Sequence, residues 1–149
     1  MFEIVFSFNE KKWKDPLLAS ENDLRYNHLL GNLVFQTPEH KLVMNWGWIP
    51  LLDFAICVNA ISKNLCQSTK SREIFDFTEA DKKLDFERSH DRVYIRGSFS
   101  DTELDLDFSV FQKGVDQFYA SLLNEIISKR KGMTKNYFFS QLLHQIQTN

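Results

Sequence analysis

A chain of 149 residues is of a size for one domain, and such a domain buries roughly two thirds of its unfolded surface without needing a disulfide or metal staple. Hydrophobic residues make up 43% of it, with 14 Phe, 4 Tyr and 3 Trp but only 5 Gly and 3 Pro, which excludes a disordered or low-complexity chain. A formal charge of -2 argues against a nucleic-acid binder, which needs a basic face for phosphates, and no apolar run approaches the roughly 20 residues of a membrane span.

The two cysteines, Cys57 and Cys66, have no CxxC spacing and no histidine at ligand spacing, so they read as reduced thiols. The opening MFEIVFSF lacks the basic leader of a signal peptide, and the expected location is the cytoplasm. In residues 2–8, Phe2, Ile4, Phe6 and Phe8 alternate with Glu3, Val5 and Ser7, which predicts a strand with one buried face. A polar stretch follows from Asn9 to His28, with Trp13 among Lys11, Lys12 and Lys14 and a short possible helix over 17–24.

Residues 30–36 and 41–48 predict a hairpin around Thr37-Pro38-Glu39-His40, with Pro at the second turn position. Its second strand ends in Asn45-Trp46-Gly47-Trp48, where the rings flank a glycine that admits a close neighbour. These two tryptophans close the end of a core or anchor a partner. From Pro50, the positions Leu51, Phe54, Ala55, Val58, Ile61 and Leu65 follow helical spacing, and Asp53, Asn59, Ser62 and Lys63 mark the polar face.

From Arg72 the chain alternates through four short segments. Taking His90-Asp91 as a turn centre sets Phe86 opposite Ile95, Leu84 opposite Gly97, Asp85 opposite Arg96 and Glu87 opposite Tyr94. Taking Ser100-Asp101 as the next centre sets Leu106 opposite Ile95, Phe108 opposite Val93, Asp105 opposite Arg96 and Asp107 opposite Tyr94. A third centre at Ala80-Asp81 puts Asp76 beside Asp85 and adds Phe75 and Phe77 to the buried face. The outward face then carries Asp76, Asp85, Glu87, Asp105 and Asp107 around one cation, Arg96, and the ring of Tyr94. This strip is either a solvated face of cross-strand ion pairs or an acidic docking patch for a basic partner.

Ser109 with Gln112 has capping-box spacing, and Phe111, Val115, Phe118, Leu122, Leu123 and Ile126 mark the apolar face of a long helix closed by Lys129-Arg130-Lys131-Gly132. A last helix from Thr134 clusters Tyr137, Phe138, Phe139, Leu142, Leu143 and Ile146, as core or as an oligomer contact. The expected fold is thus a single α+β domain over 1–149, with an antiparallel sheet of about six or seven strands and helices on one face.

No phosphate loop, nucleophile elbow, HExxH or paired-cysteine signature is present. Of the histidines at 28, 40, 90 and 144, three fall in predicted loops or turns and read as surface residues, so neither a metal, a cofactor nor a catalytic centre is expected.

The order strand, hairpin, helix, acidic meander and long helix, with LDFERSHDRVYIRGSFSDTELDLDFSVFQKGVDQF at its centre, resembles the small immunity proteins of bacterial toxin-immunity systems, including contact-dependent growth inhibition. The resemblance implies a binding protein that covers the active site or basic groove of a toxin domain such as a nuclease. Its contacts would be Asp85, Glu87, Tyr94, Asp105 and Asp107, with Trp46 and Trp48 as a second choice. Two alternatives stand beside it: an adaptor that self-associates through the last helix, and a small ligand-binding domain or hydrolase.

Overall fold

The computed structural model describes residues 1–9, 19–77 and 80–148. Trp13 and its neighbouring lysines lie outside the described residues, as do residues 17 and 18 of the short helix expected over 17–24. Strands β1 (Glu3–Phe8), β2 (Leu30–Gln36) and β3 (Lys41–Pro50) form one antiparallel sheet in that order. Strands β4 (Lys70–Phe77), β5 (Lys82–Ser89), β6 (Arg92–Gly97) and β7 (Glu103–Asp107) form the second, as a meander. With helices α1 (Leu51–Cys66), α2 (Phe108–Lys129) and α3 (Tyr137–Thr148), the architecture is α+β, as the alternation and helical spacing predict.

One apolar core joins both sheets. Phe35 of β2 packs 5.9 Å from Phe54 of α1 and 6.3 Å from Phe86 of β5, and Phe2 and Phe86 both reach Phe111 of α2, at 5.9 and 5.8 Å. The helical stripe of α1 is buried as spaced, and Ser62, expected on the polar face, is buried with it. Helix α2 lies against β1 so closely at Gly114 that a Cβ there would sit 2.5 Å from the Phe2 ring and 2.9 Å from its carbonyl oxygen. That approach, and not turn chemistry, requires glycine at this position.

The meander corrects two of the three predicted registers. The His90-Asp91 turn holds, with Leu84 opposite Gly97, Asp85 opposite Arg96, Phe86 opposite Ile95 and Glu87 opposite Tyr94. His90 takes the left-handed conformation at φ 55, which histidine, like Asn and Asp, adopts more readily than other non-glycine residues. At the β6-β7 connection the register slips by two. Glu103 faces Arg96, Leu104 faces Ile95, Asp105 faces Tyr94, Leu106 faces Val93 and Asp107 faces Arg92. The turn is wider because the Phe99 ring folds beneath Gly97, within 3 Å of where a Cβ would stand. Phe108, expected on the strand, instead opens α2, so Ser109 lies inside the first turn and Asp107 takes the N-cap position.

The β4-β5 register slips by two in the same sense. Phe75 pairs with Leu84, Ile74 with Asp85 and Asp76 with Lys83, so Asp76 does not lie opposite Asp85. At the C-terminal end, Lys131–Lys135 form a 3-10 turn and α3 starts at Tyr137, later than Thr134. Buried Asn136 caps α3 by accepting the Phe139 N–H at 3.1 Å, and its amide donates to the Ala19 carbonyl at 2.8 Å.

Candidate functional site

The outward face of β4-β7 is where the sequence placed its candidate contacts. Strand parity sends Asp85, Glu87, Tyr94, Asp105 and Asp107 to one side and Leu84, Phe86, Val93, Ile95, Leu104 and Leu106 to the core. The strip does not surround a single cation, however. Arg72 of β4 grips Asp85 with two hydrogen bonds, Nε to Oδ1 at 2.9 Å and Nη2 to Oδ2 at 2.7 Å. Arg96 bridges Glu87 and Glu103, both at 2.9 Å. Arg92 holds Asp105 at 2.6 Å and Asp107 at 2.7 Å, and Lys83 stands 3.8 Å from Asp76.

These contacts raise the pKa of each arginine. The dominant cause is the hydrogen bond to Asp85 for Arg72, to Asp105 for Arg92 and to Glu87 for Arg96. The face is therefore a lattice of nearly balanced charge, and the expected excess of carboxylate is confined to its β7 side. There Asp105 and Asp107, whose side chains are 52% and 60% exposed, share one arginine. Asp85 is the least available carboxylate, at 20% exposure. Tyr94 sits half-buried between Glu87 and Asp105 in the cross-strand row, with Arg96 5.9 Å from its ring centre. Sequence reasoning missed both Arg72 and the place of Arg92 between Asp105 and Asp107. Both assignments depend on a register that the turns leave open by two residues.

Trp46 and Trp48 lie elsewhere. Between Gly31 and Leu33 the β2-β3 register shifts, so that Asn45–Trp48 bulge opposite Asn32, whose Oδ1 accepts the Gly47 N–H at 2.7 Å. Gly47 has φ 76, and nothing lies within 4 Å of where its Cβ would be. Glycine is there for the left-handed backbone, not for the close neighbour expected. The bulge turns both indoles to one side, where they stack 5.3 Å apart. Trp46 packs edge-on against Phe77 at 5.2 Å and Phe99 at 4.8 Å. The rings are half-buried and meet the inner side of the meander, on the opposite face from the carboxylates.

Helix α1 carries a partly buried cluster. Arg25 donates to Asp53 Oδ1 from Nε at 2.9 Å and Nη2 at 2.6 Å, and the Cys57 thiol lies 3.8 Å from the same oxygen. Burial is the strongest single influence on Arg25 and works against its charge, but the Asp53 hydrogen bond and the Asp53 charge together outweigh it and the pKa rises. Burial pushes the Cys57 thiol up, the neighbouring Asp53 charge adding to it. A raised thiol pKa is the reverse of what a nucleophile needs. His28 lies 95% buried near Asp23, which corrects its reading as a surface residue. Among the described residues no cluster of His, Cys, Asp or Glu has the makings of a metal site, and no helix is long and apolar enough to cross a membrane.

Comparison with known proteins finds no matching family model, curated protein or solved structure.

Proposed function

We propose that this chain is a non-catalytic protein-binding domain that docks a basic partner against the outward face of β4-β7, in the manner of an immunity protein shielding a toxin domain. The observation carrying this reading is the pair Asp105 and Asp107. Both are exposed on the last strand of a sheet face that the described elements leave open, and both are oriented by the same Arg92. Exposed pairs of this kind are weak because solvent screens them, so a partner's lysine or arginine displaces or joins Arg92 at small cost. Oriented carboxylates on a rim steer encounter with a cationic groove and fix its register. Glu87 and Tyr94 adjoin the pair, whereas Asp85 is occupied by Arg72 and contributes less.

The self-associating alternative through α3 is less well supported. Phe139 and Leu142 are spent on the core, leaving Tyr137 as the large exposed side chain of that helix among those described.

The test is co-expression with the reading frame adjacent to this one. A growth arrest caused by the neighbour alone, relieved by this chain and restored by Asp105→Lys with Asp107→Lys, supports the proposal. Asp76→Lys, on the far strand, serves as the control. A harmless neighbour, or full protection by the double variant with an unchanged association rate, refutes it.

A further inference from the structure

Among the described residues strand β1 is an edge of the first sheet, and its hydrogen-bond phase identifies what it offers. The Asn9 N–H donates to the Leu30 carbonyl at 2.8 Å. With β1 and β2 in register from Glu3↔Gln36 to Phe8↔Gly31, this makes Glu3, Val5 and Ser7 the residues that exchange bonds with β2. The backbone N–H and C=O of Ile4 and Phe6 therefore point away from the sheet, and no partner for them exists among the described residues. Beside this edge runs a groove of about 1190 Å³, bounded by β1 and by Gly114, Gln117, Ser121 and Glu125 of α2. A row of unpaired backbone groups fits an extended strand and little else.

We propose that the strand filling this edge is β1 of a second copy, antiparallel to the first about a two-fold axis at Val5. In that register Ile4 of one copy exchanges both its bonds with Phe6 of the other, and the reverse, so all the outward groups of both residues are paired. Glu3 faces the second copy's Ser7, not its glutamate, so no like charges meet. Val5 faces its own counterpart.

The side chains make this register continuous with the existing sheet. Val5 stands beside Val34, and Val34 beside Val43, in one cross-strand row on the outer face. Val5 and Val43 are 41% and 47% exposed. The two-fold joins this row to its copy, giving one apolar band across a six-stranded sheet. On the inner side, α2 runs in the same direction as β1, with Gly114 against Phe2 and the Lys129 ammonium 5.9 Å from the Phe8 ring centre. The axis therefore passes near Ser121, where a small exposed side chain lets the two helices approach, and it sets Gln117 of one copy toward Glu125 of the other.

Equilibrium sedimentation of the full chain up to roughly millimolar concentration tests the proposal. The expected result is a concentration-dependent dimer. Val5→Lys and Val5→Glu, each at an exposed position outside the core, should weaken it at least about tenfold while leaving the thermal transition in place. An equimolar mixture of the two variants should recover it, because only at a two-fold axis does residue 5 meet itself. A wild-type monomer throughout that range overturns the proposal, as does a dimer indifferent to Val5→Lys. Loss of the dimer in each variant without recovery in the mixture also overturns it, since residue 5 would then face something else.

Discussion

Replacing Arg88 should cost more stability than replacing any of the three arginines on the outward face, although all four make carboxyl or carbonyl contacts. Arg88 points to the core side of β5. Its Nη1 donates to the Leu65 carbonyl at 2.9 Å, in the last turn of α1, and its Nε donates to the His90 carbonyl at 2.8 Å. The guanidinium lies flat enough on buried Phe108, the first residue of α2, to place its carbon 3.9 Å from the ring centre. One side chain thus ties together the end of α1, the β5-β6 turn and the start of α2. Hydrogen bonds from a charged donor contribute about 1.5 to 3 kcal/mol each, and the ring contact about 0.5 to 1 kcal/mol or more. The hydroxyl of Ser71, 3.3 Å from the same Leu65 oxygen, recovers part of the loss. Arg88→Met should therefore cost about 2 to 4 kcal/mol, a fall in Tm of roughly 5 to 15 °C for a chain of this length. Arg88→Lys should be intermediate, since an ammonium cannot bridge both carbonyls and stack at once. Arg72→Met, on the exposed face where solvent screens its pair with Asp85, should leave the urea midpoint close to that of the parent chain. Urea unfolding followed by tryptophan fluorescence measures all three. An Arg88→Met loss below about 0.5 kcal/mol, indistinguishable from an ordinary surface change, would refute the reasoning.

Gly114→Ala should destabilise by about 1 to 3 kcal/mol through its clash with Phe2, read as a lower urea midpoint. Gly47→Ala should cost about 1 to 2 kcal/mol for the left-handed backbone alone, and Gly47→Asn less; equal losses in the two variants would show that something other than φ matters there. Cys66, exposed, should react with a thiol reagent well before half-buried Cys57 at mildly alkaline pH. Because the folded state raises the Cys57 pKa, its contribution to stability is complete below the unfolded thiol's pKa and is lost as pH rises through the folded one. Denaturation midpoints for Cys57→Ser and the parent chain, compared across that alkaline window, should converge toward high pH.

The core of this protein is written in its sequence more plainly than its surface, and the reason is parity. Residues alternate across a strand, so a register wrong by two leaves every side chain on its correct face. Leu84, Phe86, Ile95, Leu104 and Leu106 are buried whether the β6-β7 turn centres on Ser100-Asp101 or one residue earlier. The same slip changes every cross-strand partner. It moves Arg96 from Asp105 to Glu103 and hands Asp105 and Asp107 to Arg92. The candidate site is made of such partners, and the wide turn under Phe99 that sets them carries no glycine or proline signal of its own. The bulge at Asn45–Trp48 was visible only as two tryptophans flanking a glycine. Its cause, the Asn32 side chain taking the Gly47 N–H, lies on another strand.

The contact between Gly114 and Phe2 also bears on synthesis. A ribosome releases β1, β2 and β3 long before α2, and α1 arrives between them. Phe54 of α1 covers Phe35 at once, but Phe2 and Phe6 wait for Phe111 and Phe118 of α2. The hydrogen bond between Asn136 and the Ala19 carbonyl, 117 residues apart, forms later still. Until α2 emerges the first strand is therefore an aromatic ribbon without its cover, and holding it safe falls to chaperones or to the speed with which the meander and α2 fold behind it.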